Sequence, residues 1–444
     1  MAKATDKQLD YAKHIATTLG IEMPRTTDRF VVGAFIAKNK EQAAVKQAED
    51  NKIIYVGKVK TSTFCFDREI DVHQNLIMPG FINAHTHSGM TFLRSMADDM
   101  PLQQWLNEKV FPIEEKLTQE DIYFFSKVAI LEYLTSGITT NFDMYLNPEA
   151  IVHASLDMNY RTVLCGAVND FCLSVEDVER CFNAYNQKNS LISYILGFSH
   201  EYTNSKEKIQ QVAALSHKYK APVYTHLSET EYEVNTCKEK TGRSPVEYLC
   251  DLGVYDYGGG AFHCVHMSAH DLDLFAKKHL NVITNPASNL KLASGIAPIQ
   301  SMLQRNINVC LGTDGPASNN CLDMFREMFL VTGLAKYKEK DASAVDAYEV
   351  LKMATVNAAK ALHLNCGVLE VGKLADLIIL DLHQPNMQPI NNVAKNIVYS
   401  GSKSNVKCTM VNGKILYEDG HFYVGFEIEA LYDEVQKRVE RLMR

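Results

Sequence analysis

The feature that most constrains the fold is an alternation. Short β-rich apolar runs take turns with longer stretches whose apolar residues recur at helical spacing. The runs are Leu76–His87, Ile138–Met144, Thr162–Val168, Ile192–Ser199, Pro222–Leu227, Gly260–His266, Asn281–Pro286 and Ile307–Asp314. Between them lie Gln119–Thr135, Lys206–Tyr219, Ser244–Leu252 and Ser268–Lys278, each patterned as a helix. Strand followed by helix implies parallel pairing through right-handed crossovers. Eight such units between residues 76 and 314 fit a (β/α)8 barrel, which takes about 250 residues. A doubly wound open sheet is the alternative, but no GxGxxG turn follows the first run. The expected fold is therefore α/β, a TIM-type (β/α)8 barrel with a small β-sandwich domain formed by the two flanks.

The C-terminal flank reads as short strands, Leu377–Leu380, Ile397–Tyr399, Val406–Val411 and Ile415–Tyr417, with Asn412-Gly413 as a hairpin signal. The N-terminal flank has one strand, Lys52–Val56. The expected division is a sandwich from residues 49–75 and 372–425, a barrel over 76–371 and a closing amphipathic helix over 426–444. Residues 1–48 form an atypical segment, with a helix expected over Asp6–Leu19 because Tyr11, Ile15 and Leu19 recur at helical spacing.

Composition narrows the partners. The net charge is −8 over 444 residues with no basic block, which argues against a nucleic-acid partner. No stretch approaches 18 consecutive apolar residues, so a membrane span is not expected, and the first residues lack a secretory apolar core. The 11 cysteines form no CxxC pair and read as reduced, mostly buried thiols of a cytoplasmic protein. A small molecule is the expected partner, with a homo-oligomer left open.

The chemistry sits at the ends of the apolar runs. The first ends in His85-Thr86-His87, whose imidazoles share one face of a strand, as two ligands of one ion must. The ends of three others carry His226, His263 and Asp314. These are the carboxyl ends of predicted barrel strands, the rim where barrel enzymes keep their active sites. Three neutral imidazoles and a carboxylate, His85, His87, His226 and Asp314, suit one divalent ion, Zn²⁺ first, with Fe²⁺ or Mn²⁺ compatible by ligand type. Such an ion lowers the pKa of a bound water toward about 7. Asp314 can then act as general base and Glu229 can protonate a ring nitrogen of the substrate, while His263 orients the attacking oxygen. His266, three residues past His263, reads as structural because that offset points away on a strand.

With these residues the sequence resembles the amidohydrolase superfamily, in the branch of 5-methylthioadenosine/S-adenosylhomocysteine deaminases and triazine hydrolases. The resemblance rests on PGFINAHTHSGMTFLR (79–94), HLSETEYE (226–233), HCVH (263–266), NPASNLKLASGIAPI (285–299), GTDGPASNNCLDMFRE (312–327) and GKLADLIILD (372–381). It implies a mononuclear metal site. It also implies that Glu114 binds ribose hydroxyls, that Trp105 walls the pocket and that Ser288 and Asn289 make contacts at its rim. Three departures stand out. Ser199 occupies the place of a family histidine, so His200 is the remaining substrate contact there, and strand parity turns it away unless the loop bends. Leu164-Cys165-Gly166 lacks the arginine that many relatives carry near that strand end. Residues 1–48 do not match the family's opening strands.

The expected activity is hydrolytic deamination of an aminated purine nucleoside, of the methylthioadenosine or adenosylhomocysteine kind, with release of ammonia. A triazine, guanine or another amidine-like heterocycle is the alternative substrate. A non-catalytic barrel scaffold is the rival from another class. The H-x-E with P-C-x-x-C motif of nucleic-acid base deaminases is absent.

Overall fold

The structure is a computed structural model that describes residues 51–58, 68–96, 98–170, 173–186 and 190–444, together with Leu9, Ala12 and Lys13. The helix expected over Asp6–Leu19 lies outside the described residues apart from those three positions.

Eight strands build the barrel: β2 (Phe81–Thr86), β3 (Ile138–Asp143), β4 (Arg161–Cys165), β5 (Ile192–Gly197), β6 (Val223–Leu227), β7 (Gly259–His263), β8 (Asn281–Thr284) and β9 (Asn308–Leu311). They lie in sequence order, each parallel to the next. The ring closes without a regular ladder between β9 and β2. Instead, the Thr313 and Asp314 amides donate to the His85 carbonyl at 3.1 and 3.0 Å, and Asn83 and Thr313 exchange side-chain and backbone bonds. Gly312 permits this approach, because a Cβ there would lie 2.4 Å from Asn285 Oδ1 and 2.8 Å from His85 Cβ.

The helices follow their sequence signals closely. Gln119–Thr135 starts on a Thr118–Asp121 capping box, Pro245–Asp251 on Ser244–Glu247 and Ala269–Lys277 on Ser268–Asp271. Strands buried on both faces read as continuous apolar runs, as parallel sheets require. Inside the barrel, Phe142, Tyr224 and Phe262 meet edge-on or stacked, with ring centroids 5.2 to 6.0 Å apart.

The flanks form an antiparallel sheet in the order β1 (Leu76–Pro79), β10 (Leu377–Leu380), β11 (Val406–Val411), β12 (Lys414–Glu418), β13 (His421–Phe422). The apolar run Leu76–His87 is thus two strands in two sheets, not one. Gly80 alone separates them, and a Cβ there would lie 2.2 Å from the Thr139 side chain. The expected strand at Ile397–Tyr399 is the end of a helix, Val393–Tyr399, started by Asn392 accepting from the Lys395 amide. Three apolar residues fit either period, and the cap decides. Arg161, at the start of β4, forms a buried ion pair with Asp376 (2.7 Å), and Asp376 also accepts from the Asn412 amide at 2.6 Å. The small sheet is therefore tied to the amino ends of the barrel strands, leaving their carboxyl ends to the chemistry.

A separate small unit pairs residues 51–58 with Glu370–Ala375. The strand expected over Lys52–Val56 is reduced to one antiparallel bridge, Lys52 with Leu374, extended by bonds between Ile53 and Lys373 and Gly372. Ile54, Tyr55 and Val56 are exposed, so no apolar face holds a strand there. Among the described residues, no helix is long and apolar enough to cross a membrane. The described cysteines, such as buried Cys165 and Cys264, form no disulfide.

Candidate metal centre

The carboxyl ends of β2, β6, β7 and β9 bring five groups together. The ring centroids of His85 and His87 are 4.8 Å apart, as are those of His85 and His226, while His226 and His263 are 5.5 Å apart. Asp314 Oδ1 lies 3.2 Å from His87 Nε2 and 3.7 Å from His85 Nε2. Two triplets, His85–His87–Asp314 and His85–His226–His263, each place their donor atoms within 4.8 Å of one another, and His85 belongs to both.

The backbone departs from strand geometry to achieve this. Ser228, His263, Cys264 and Asp314 all have positive φ, at 51°, 67°, 52° and 60°. None is glycine, and left-handed non-glycine residues gathered at one place mark a site where the fold pays for orientation. At His263 the consequence is visible. Strand alternation would send Phe262 and His263 to opposite faces, yet both rings reach His85, at 3.7 and 5.8 Å between centroids. β7 ends at His263, so the expected run to His266 stops three residues early. His266 lies in the following turn, 2.7 Å from the Ser294 carbonyl.

Second partners fix which nitrogen faces inward. His226 Nδ1 donates to the Ser199 carbonyl at 2.9 Å, and His87 Nδ1 donates to the Met144 carbonyl. With Nδ1 donating, His226 presents Nε2 as a lone pair, the arrangement that metal-binding histidines favour, while His87 turns its Nε2 toward Asp314. Both nitrogens of His85 are buried with no hydrogen-bond partner. Burial pushes the His85 and His226 imidazoles well below their ordinary range, which keeps them neutral. Burial alone would raise Asp314, but its bond to His87 and the charges of the surrounding imidazoles hold it well below the usual carboxylate range. Two imidazoles kept neutral, a third facing an ionised carboxylate, and an orphaned buried ring among them are the donor set a divalent cation completes.

The acid–base candidates converge on the same point. His263 Nδ1 is 2.7 Å from Asn289 Oδ1, and its Nε2 lies 3.9 Å from Glu229 Oε2 and 3.9 Å from Asp314 Oδ2. Glu229 is buried and raised above the usual glutamate range, chiefly by that burial. Ser294 donates to its Oε1 at 3.3 Å. Ser288 and Ser318 both donate to Asp314 Oδ2, at 2.6 and 2.9 Å. Ser288 and Asn289 thus support Asp314 and His263 directly.

His200 corrects the parity argument. β5 ends at Gly197, so the chain has left the strand before His200, and the loop bends inward. Its ring stacks on His226 at 4.3 Å with planes 14° apart, and Ser199 bonds its Nδ1 at 2.8 Å. Burial, with His263 and His87 nearby, pushes it down to about 3. Glu114 is half-buried and accepts from the Tyr145 hydroxyl at 2.6 Å, while the Tyr145 ring lies 6.4 Å from His87. Trp105 is buried in the apolar core at the start of a π-helical turn, Leu106–Val110. No ring contact joins it to the histidines among the described residues.

Several supporting residues escape sequence reasoning. Glu233 accepts from the Ser228 and Glu229 amides. Glu327, fully buried, accepts from the Ala287 amide at 3.0 Å and from Asn319 at 2.7 Å. Both lie inside the motifs HLSETEYE and GTDGPASNNCLDMFRE, and their acidic character at helix positions with apolar neighbours was the available signal.

An eight-stranded parallel barrel with histidines and an aspartate at its carboxyl rim defines a hydrolytic enzyme of the metal-dependent barrel class. The chain belongs to the amidohydrolase family, whose model matches residues 76–416. A 5-methylthioadenosine/S-adenosylhomocysteine deaminase of Thermoanaerobacter pseudethanolicus is 37% identical over 424 residues, covering 93% of this chain and 98% of its own. An adenosine deaminase from Xanthomonas campestris, solved with bound zinc, superposes with a TM-score of 0.79 at 30% identity, covering 83% of this chain and 86% of that one. An atrazine chlorohydrolase from Arthrobacter aurescens, complexed with zinc, reaches a TM-score of 0.81 at 22% identity, over 88% of this chain and 93% of that one. At that identity the likeness speaks for the fold alone.

Proposed function

We propose that this chain is a zinc-dependent hydrolytic deaminase of an aminated purine nucleoside, with a thioether nucleoside of the methylthioadenosine or adenosylhomocysteine type as substrate. One observation carries the chemistry: His263 Nε2 stands 3.9 Å from carboxyl oxygens of both Glu229 and Asp314, beside the unpartnered nitrogens of His85. The substrate class follows from the deaminase relatives, of which one spans 93% of the chain.

His85, His87, His226 and Asp314 would hold the cation. When bound, it makes hydroxide available from water at neutral pH. Asp314, ionised in its ring of imidazoles, takes the proton from the attacking water. Oxygen adds to the ring carbon that carries the amine. Glu229, whose raised affinity for a proton suits an acid, protonates the adjacent ring nitrogen. His263, steered by Asn289, orients the attacking oxygen. The proton held by Asp314 passes to the amine, the C–N bond breaks as ammonia leaves, and the proton of the added hydroxyl passes to Glu229 as the ring carbonyl forms, restoring the acid. Glu114, bonded by Tyr145, would bind the sugar, and His200, stacked on His226, would meet the ring edge.

The test is ammonia release from a panel of methylthioadenosine, adenosylhomocysteine, adenosine, guanine and triazines with zinc-loaded protein. Fastest release from a thioether nucleoside supports the proposal. Preference for guanine or a triazine overturns the substrate assignment, and a metal-free, inert, folded protein overturns the enzyme.

A further inference from the structure

Glu233 breaks a local rule. Thr230 caps the helix Glu231–Thr241, accepting from the Glu233 amide, and a glutamate three residues past such a cap ordinarily bonds back to the cap's own amide. Here the side chain reaches further. Its Oε1 accepts from Ser228 at 2.5 Å and its Oε2 from Glu229 at 2.8 Å. Two consecutive amides held by one carboxyl require the sharp turn that Ser228 makes at φ 51°. That turn sends Glu229 toward His263.

A second carboxyl stands behind it. Glu201, 6% exposed, has both oxygens buried without a well-formed hydrogen bond, and the Glu233 carboxyl is one of the few polar groups that reach it. Glu233 itself is 1% exposed. Burial and the facing carboxyl raise Glu201, and burial raises Glu233. Glu201 follows His200 directly in the loop after β5.

We propose that Glu233 is a positioning residue for Glu229: it touches no reactant but fixes the backbone turn that aims the acid. The proposal rests on the role given to Glu229 above. Removing the grip lets Glu229 swing, and a misplacement of about 1 Å can cost a reaction about a hundredfold.

The experiment uses the full-length, zinc-loaded chain with methylthioadenosine, recording kcat, KM and metal per chain for Glu233→Ala, Glu233→Gln, Glu201→Gln and Glu229→Gln. Glu233→Ala is expected to lower kcat about tenfold to a hundredfold, with KM within about threefold and metal content unchanged. Glu233→Gln keeps one acceptor oxygen and should recover part of the loss. Glu201→Gln, at a carboxyl that makes no hydrogen bond to the turn, should stay within about threefold of the parent. If Glu233→Ala does not fold, the kcat of Glu233→Gln decides, with a loss of several-fold expected. The proposal is overturned by a folded, metal-replete Glu233→Ala at parental kcat, by parental kcat in Glu233→Gln where that variant decides, or by losses that merely track metal or folded fraction. Glu229→Gln separates the two levels: if it keeps the parental rate, the role of Glu229 itself fails, whereas if it is inactive beside a fully active Glu233→Ala, only the positioning role fails.

Discussion

Asn289 accepts the Nδ1 proton of His263 across 2.7 Å, and this single bond decides the tautomer of the ring. With Nδ1 occupied, Nε2 is the acceptor between Glu229 and Asp314. Asn289→Leu should leave the metal in place and lower kcat by about tenfold to a hundredfold. Metal analysis beside steady-state kinetics checks both halves.

Asp314→Asn should preserve the barrel and cut ammonia release by about a thousandfold, the scale of a lost general base. Circular dichroism establishes the fold, and a near-normal rate in the folded variant removes Asp314 from the role of base.

Chelation gives an independent reading of the histidine cluster. His85 has no partner for either nitrogen, so a bound cation should stabilise the fold as well as supply the chemistry. Dialysis against a chelator is expected to abolish ammonia release and lower the melting temperature, and stoichiometric zinc should restore both. An unchanged melting temperature with full activity would place the metal elsewhere or nowhere.

Tyr145 donates to Glu114 at 2.6 Å. If Glu114 binds sugar hydroxyls, Tyr145→Phe frees its carboxylate to wander and should raise KM for ribonucleosides by about tenfold with little change in kcat. A 2′,3′-dideoxy substrate should feel the substitution far less.

Glu327 predicts a pH effect on stability. Burial outweighs its two N–H bonds and pushes its carboxyl up to about 8, from about 4.5 in an exposed glutamate. Between those values the unfolded chain releases a proton that the folded chain keeps, so stability falls as pH rises through the window. Glu327→Gln has no such proton, and its stability deficit relative to the parent should shrink from pH 5 to pH 8. Urea midpoints across that range give the answer, and a deficit that grows with pH would reverse the sign.

The barrel and the chemistry at its rim were legible because both follow from simple periodicities. Gln119–Thr135 was readable in full from its 3.6-residue pattern. His85, His226, His263 and Asp314 stood out because they sit at or near the ends of expected strands. What could not be read was anything that depends on where a strand stops. Parity turned His200 outward only if β5 continued past Gly197, and it does not. Ile397–Tyr399 is too short for its period to be seen, and a side-chain cap five residues upstream made it helical. Glu233 was hidden because only the fold reveals that its oxygens reach two different amides.

Because Gly80 is the sole residue between the edge of the small sheet and the strand that ends on His85 and His87, the sheet is no detachable module. Any graft, truncation or permutation that frees it must sever the chain just ahead of two of the cluster's imidazoles. Engineers who wish to transplant this catalytic rim would therefore have to carry the sheet along with it.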